Sequence, residues 1–301
     1  MTKAEIDLIE KLPGPPRVAG LRTTNVWIVE WLFVRDEKTG RLLHEWIHER
    51  RPGWSAYSSY WSKAEVLAAI DRAAAESLRS GMIPVLHIEA HGDKLGLGGP
   101  EGKDHSGFIT WDDLTLPLQR LNMATRCNLM IFVAACTGFA AINTFTGGPH
   151  APAVFLAGPD GRLTGSSLLA GTKELYRGLM GGTPRVSAIL EDASREMEPV
   201  TFEPEPFAVL AFESLAESLV VFARQEELRR RTERVRWHMQ STGVKEHKDR
   251  TLRSVCADEL QRRWDELFFI DRWSENRERF GVDMAKIVDM VFNHQEAHCR
   301  G

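Results

Sequence analysis

The sequence predicts an α/β fold: a mostly parallel central sheet in a three-layer sandwich, followed by a helical C-terminal extension. Two observations carry this. Between residues 20 and 185, apolar runs of strand length alternate with amphipathic runs of helix length, as strands joined by crossover helices do. From residue 186 onward the runs have helical periodicity. The chain therefore divides into a sheet domain at 20–185 and a helical extension at 186–301, expected to pack on it.

The elements follow in order. "NVWIVEWLFV" (25–34) is β-branched and aromatic and reads as a strand. "RDEKTG" offers a turn at Thr39-Gly40, and "RLLHEWIHER" (41–50) reads as the returning strand of a hairpin. Beyond the loop "RPGWSAYSSYW", Ser62 caps a helix in which Val66, Leu67, Ile70, Ala74 and Leu78 share a face, and Gly81 suits its stop. "MIPVLHIEA" (82–90) is a strand, followed by a glycine-rich loop, and "GFITWDDLTLPLQRLN" is a short strand running into a helix. The continuous apolar run "NLMIFVAAC" (128–136) has the character of a central strand covered on both faces. "PAVFLAGP" (152–159) is a further strand and "GSSLLAGTKELYRGLMGG" a helix ending at its glycines. "EPVTFEPEP" reads as a connector between helical runs, and the charges of "RQEELRRRTERVR" as a solvated helix face.

Composition narrows the function classes. With 301 residues, 43% hydrophobic and 27% charged, the chain can bury a large core. A net charge of -4 gives no electrostatic case for nucleic acid. The four cysteines, Cys127, Cys136, Cys256 and Cys299, include no CxxC pair, which argues for a reducing compartment without a disulfide framework or zinc ribbon. The N-terminal stretch lacks a signal-peptide core, and no apolar run reaches spanning length. The expectation is a cytoplasmic protein with no membrane partner.

Three motifs compete for the chemistry. "HEWIH" (44–48) matches the H-E-x-x-H pattern of a zinc hydrolase, with His44 and His48 as ligands and Glu45 as base. That chemistry needs a helix; in the strand expected here Glu45 lies opposite the two histidines. "HIEAH" places His87, Glu89 and His91 on one strand face, and His87-Ile88-Glu89 matches the H-x-E of zinc deaminases, but no P-C-x-x-C follows. The third pattern joins two strand ends. "EAHGD" closes one apolar strand and "AACTG" another, so in a parallel sheet His91 and Cys136 both emerge at the carboxyl edge, where such sheets place ligands. A histidine beside a thiol raises its reactive fraction. Gly92 allows close backbone approach, and the main-chain N–H groups of Gly92 and Cys136 could bind an oxyanion. Cys136 alone would read as an inert buried thiol; it is the pairing of the two strand ends that gives it a role.

"HIEAHGD" and "MIFVAACTG" resemble the two catalytic signatures of the caspase-like cysteine peptidases, the clan of caspases, metacaspases, clostripain, separase and bacterial CHAT proteases. The caspase-type signature Q-A-C-[RQG]-G has its histidine about 50 residues upstream; here the separation is 45. Ala135, Cys136 and Gly138 match, whereas Ala134 and Thr137 depart, which sets strict caspase specificity aside. The likeness covers residues 22–185 and leaves the C-terminal helices unexplained.

The resemblance implies a caspase-like three-layer sandwich and a cytoplasmic cysteine endopeptidase that needs no cofactor or metal. His91 would be the general acid/base, Cys136 the nucleophile, and the N–H groups of Gly92 and Cys136 the oxyanion donors. Glu89 and Asp93 would orient the histidine or simply hold the loop, and Asp160 would select a basic residue. Protein or peptide substrates are implied, with an activating protein partner and a regulatory or antiviral defence role. Loops 94–107 and 143–152 are candidate substrate gates. Two other readings stay open: a non-catalytic interaction scaffold, and a zinc metallohydrolase built on His44, Glu45 and His48.

Overall fold

The computed structural model describes residues 1–15, 22–102, 105–144, 150–182, 186–238 and 247–298. Helix α1 (Lys3–Ile9) starts at a capping box in which Thr2 and Glu5 each accept the other's backbone N–H. Strand β1 (Asn25–Trp31) follows where its β-branched and aromatic run lies.

The next segment departs from expectation. Residues 39–50 form helix α2 (Thr39–Arg50) and not the second strand of a hairpin. Leu43 and Ile47, four residues apart, are fully buried, with Leu42 and Trp46 packed partly beside them, so the apolar period is helical. Gly40 is not a hairpin turn residue: it sits in the first helical turn, where a Cβ would stand 3.0 Å from the Glu30 carboxylate. The partner of β1 is instead β2 (Ser55–Ser59), which is parallel to it and comes from the segment read as loop.

Helix α3 (Lys63–Ser80) lies between its expected caps, with Ser62 accepting the Glu65 N–H and Gly81 stopping it at φ 72, but its buried face is Val66, Ala69, Ile70, Ala73 and Ala74, and Leu78, expected on that face, is exposed. Strand β3 (Pro84–Gly92) leads into β4 (Gly96–Glu101), which forms in the stretch read as a glycine-rich loop, and β4 pairs antiparallel with β5 (His105–Thr110), the short strand expected at "GFIT". Helix α4 (Trp111–Ala124) begins at a second capping box, Thr110 with Asp113. Strand β6 (Met130–Ala134), a short 3-10 turn, strand β7 (Phe155–Pro159) and helix α5 (Gly165–Met180) complete the expected alternation. Helix α6 (Val186–Arg195) precedes β8 (Phe202–Pro206), a strand in the stretch read as a connector. Helices α7 (Phe207–His238), α8 (His247–Leu267), α9 (Asn276–Phe280) and α10 (Met284–His298) follow.

The described strands form an eight-stranded, mostly parallel sheet ordered β2-β1-β3-β6-β7-β8, with the β4–β5 hairpin continuing from the tip of β3. β8 runs antiparallel at the edge, the position where a strand tolerates prolines. One sheet face packs against Leu43 and Ile47 of α2, Leu168, Leu175 and Tyr176 of α5, and Ile189 of α6. The alternate residues, such as Val29, Ile88 and Val133, are buried too, as expected for a parallel sheet covered on both sides by helices. Residues 20–207 form one compact unit, and residues 1–19 with 208–301 form another. Within the second unit, Trp264 donates its indole N–H to the Phe280 carbonyl at 2.7 Å and Phe268 stacks on Phe280. Among the described residues, no helix is long and apolar enough to cross a membrane.

Candidate active site

β3 and β6 are adjacent parallel strands in the middle of the sheet, with Glu89 paired to Ala134. His91 lies two residues beyond Glu89 on β3 and Cys136 two residues beyond the end of β6, so both stand at the carboxyl edge of the sheet. Gly92 lets the two strand ends meet. A Cβ at that position would stand 2.6 Å from the Cys136 carbonyl oxygen and 2.8 Å from the Ala135 Cβ.

A tight turn lifts Cys136 off its strand. Thr137 adopts φ 53, a left-handed conformation that costs a non-glycine residue about 1–2 kcal/mol. Hydrogen bonds hold it there: its N–H donates to the Gly161 carbonyl at 2.8 Å and its hydroxyl to the Cys136 carbonyl at 2.7 Å. Gly138 is required next, because a Cβ there would stand 2.4 Å from the Val133 carbonyl oxygen. The Cys136 thiol is half-buried, and its Sγ lies 3.8 Å from the Leu163 carbonyl oxygen. Cys127 is buried, and burial pushes the half-buried Cys256 thiol up. Cys299 lies outside the described residues.

The group that clamps His91 is Asp36, which sequence reasoning missed. Asp36 Oδ2 lies 2.8 Å from His91 Nε2 and accepts the Phe33 N–H at 2.8 Å. Lys38 ties the same loop down by donating to the carbonyls of Leu32 and Phe33 at 2.9 and 2.7 Å. The His91 ring rests beside Phe33 and is 55% exposed, open to an incoming ligand. With Nε2–H donating to Asp36, Nδ1 carries the free lone pair.

Glu89 and Asp93 do not take the orienting role. Glu89 is buried beneath the edge and accepts from Thr39 Oγ1 at 2.8 Å and from His87 Nε2 at 3.1 Å. His87 Nδ1 in turn lies 3.0 Å from the Tyr176 hydroxyl, whose pKa is raised by its burial and by Glu89. Glu30, beside Glu89 in register, accepts the N–H groups of Gly40 and Arg41 at the start of α2, where the helix dipole favours an anion. Tyr57 donates to Glu30 at 2.8 Å, and burial followed by this contact pushes its hydroxyl up to about 12. A buried polar platform thus locks α2 and its leading loop to the strands under His91. Asp93 accepts the N–H groups of Leu95 and Gly96 and shapes the β3–β4 turn.

Asp160 is exposed at the end of β7 and accepts the Thr201 N–H at 3.1 Å. Thr201 lines a cleft of about 440 Å³ together with Ser194, Arg195 and Glu198. Of the two candidate gating loops, 94–107 is largely the β4–β5 hairpin, and residues 145–149 of the other lie outside the described residues.

No family model matches the chain. No curated protein is significantly similar to it.

The H-E-x-x-H segment is helical, where the sequence reading expected a strand. His44 and His48 stand one turn apart on α2, so the strand objection falls. Glu45, however, pairs with Arg41 at 3.7 Å on the exposed side, and among the described residues no cluster of three or more His, Cys, Asp or Glu is placed to hold a metal. His44 Nδ1 lies 2.9 Å from Ser55 Oγ, and desolvation, followed by the charge of His48, lowers its pKa.

Proposed function

We propose that the chain is a cysteine endopeptidase of caspase-like type that cuts peptide bonds through Cys136 and His91. The observation that carries this is the closed contact of two parallel strand ends, one bearing a histidine clamped by a carboxylate, the other a cysteine raised on a strained turn. Such pairs, oriented by a third group, are the signature of an activated nucleophile.

The chemistry follows from that arrangement. The Cys136 thiol turns about χ1 from the Leu163 carbonyl toward His91, whose Nδ1 takes its proton. The thiolate attacks the scissile carbonyl, and the oxyanion is met by the N–H groups of Gly92 and Cys136. Collapse breaks the C–N bond as His91 returns the proton to the leaving amine, leaving a thioester on Cys136. His91 then deprotonates a water that attacks the thioester, and the acid departs with the thiol restored. Asp36 acts by positioning: it holds the ring and stabilises the imidazolium. The turn of the thiol toward His91 is a step that a protein activator can drive, in keeping with a regulated, cytoplasmic defence role.

The test is a proteome-derived peptide library digested by the wild type and by Cys136→Ala, with and without a chelator. Cleavage that disappears in the variant and ignores the chelator is expected. Cleavage that survives in Cys136→Ala, or that the chelator abolishes, overturns the reading. Wild type that is inert toward peptides and toward thiol-directed electrophiles alike would favour a scaffold.

A further inference from the structure

We propose that His44 and His48 form a surface binding site for a divalent transition-metal ion of the zinc or copper class. On α2 the two imidazoles project one turn apart, with ring centroids separated by 5.9 Å. Two imidazoles ligating one ion at about 2.0–2.1 Å in tetrahedral geometry bring their centroids to roughly 5 Å. The closure needed is under about 1 Å, within reach of a rotamer adjustment. His48 is exposed and free to make it.

His44 is already oriented. Its ring stacks on Tyr57, and Ser55 Oγ stands 2.9 Å from Nδ1. With Nδ1–H donating to that oxygen, the lone pair is left on Nε2, which is how a supporting hydrogen bond fixes a metal-binding histidine. The nearby charges are compensated in pairs: Arg41 with Glu45 at 3.7 Å and Arg50 with Glu49 at 3.6 Å. Glu45 is turned toward Arg41 and is not counted among the ligands. Nitrogen ligands select zinc, nickel and copper, whereas magnesium and calcium prefer oxygen. Among the described residues no third protein ligand joins the pair, so the remaining positions belong to water or to a group from outside the chain. The site is exchangeable, in contrast to a closed four-ligand structural centre.

The full chain titrated calorimetrically with copper(II), nickel, zinc and magnesium tests this. The chain has 10 histidines, so the readout is the binding component that variants remove. Copper(II) is expected to bind tightest and magnesium not at all. His48→Gln and His44→Gln should each weaken that component about tenfold or more, and Ser55→Ala about tenfold. His105→Gln, an exposed histidine elsewhere, should leave it unchanged. Circular dichroism establishes that each variant keeps its helices. Zinc or copper binding by His48→Gln with wild-type affinity overturns the proposal, as does equal uptake of magnesium.

Discussion

A methyl group at position 92 would stand 2.6 Å from the Cys136 carbonyl oxygen and 2.8 Å from the Ala135 Cβ. Ordinary carbon contacts lie at about 3.5–4.0 Å, so Gly92→Ala forces the two strand ends roughly 1 Å apart. The atoms met are a main-chain oxygen and a Cβ, neither of which can swing aside by a side-chain rotation. Overpacking of this kind costs about 1–3 kcal/mol, and a displacement of about 1 Å at reacting groups costs about 10²-fold in rate. Gly98 provides the comparison, because a Cβ there meets only the His91 Cβ at an ordinary 3.7 Å. We expect Gly92→Ala to lose about 2–3 kcal/mol in urea unfolding and to be alkylated at Cys136 about a hundredfold more slowly by a peptide electrophile. Gly98→Ala should stay within about 1 kcal/mol of wild type. A Gly92→Ala protein that unfolds at the wild-type urea midpoint and reacts at the wild-type rate would refute the close apposition of the strand ends.

Other expectations follow from the same geometry. Asp36→Ala should lower kcat about 10- to 100-fold with KM within about twofold, measured on the best library peptide; an equal rise in KM alone would place Asp36 in substrate binding instead. Tyr176→Phe leaves the buried His87 Nδ1 without its 3.0 Å partner, and should cost about 1–3 kcal/mol in urea unfolding. The Asp113 carboxyl is held down to about 2, first by Lys63 and then by Thr110. A depressed carboxyl stabilises the fold above its unfolded value of about 3.9, and that contribution is lost as pH falls through about 2. Asp113→Asn should therefore flatten the stability profile between those limits, read from urea midpoints at stepped pH.

The apposition of the ends of β3 and β6, which carry His91 and Cys136, was legible because it rests on local signals: two apolar strands, each ending in a glycine-containing turn. Asp36 was not, since its bond to His91 spans 55 residues and depends on β1 lying beside β3. The misreading of α2 has a specific cause. Thr39-Gly40 looks like a hairpin turn, whereas Gly40 is there so that its backbone can approach the buried Glu30. The Leu43 and Ile47 spacing held the correct signal, carried by one short helix. β4 and β8 escaped notice because glycine and proline depress strand propensity, and both are strands only by virtue of their partners. Glu89 looked like a support for His91 by its place on the strand face; its distance down the strand directs it to Thr39 and His87 instead.

The central claim is that Cys136 is a nucleophile served by His91. Its most direct test is the rate of covalent labelling by a peptide-derived, carbonyl-directed electrophile, located by mass spectrometry in wild type and in His91→Ala. The account requires a single adduct on Cys136, forming at least about 10²-fold more slowly without the histidine. Labelling spread over Cys127, Cys136 and Cys256, or a Cys136 rate unaffected by His91→Ala, would contradict it.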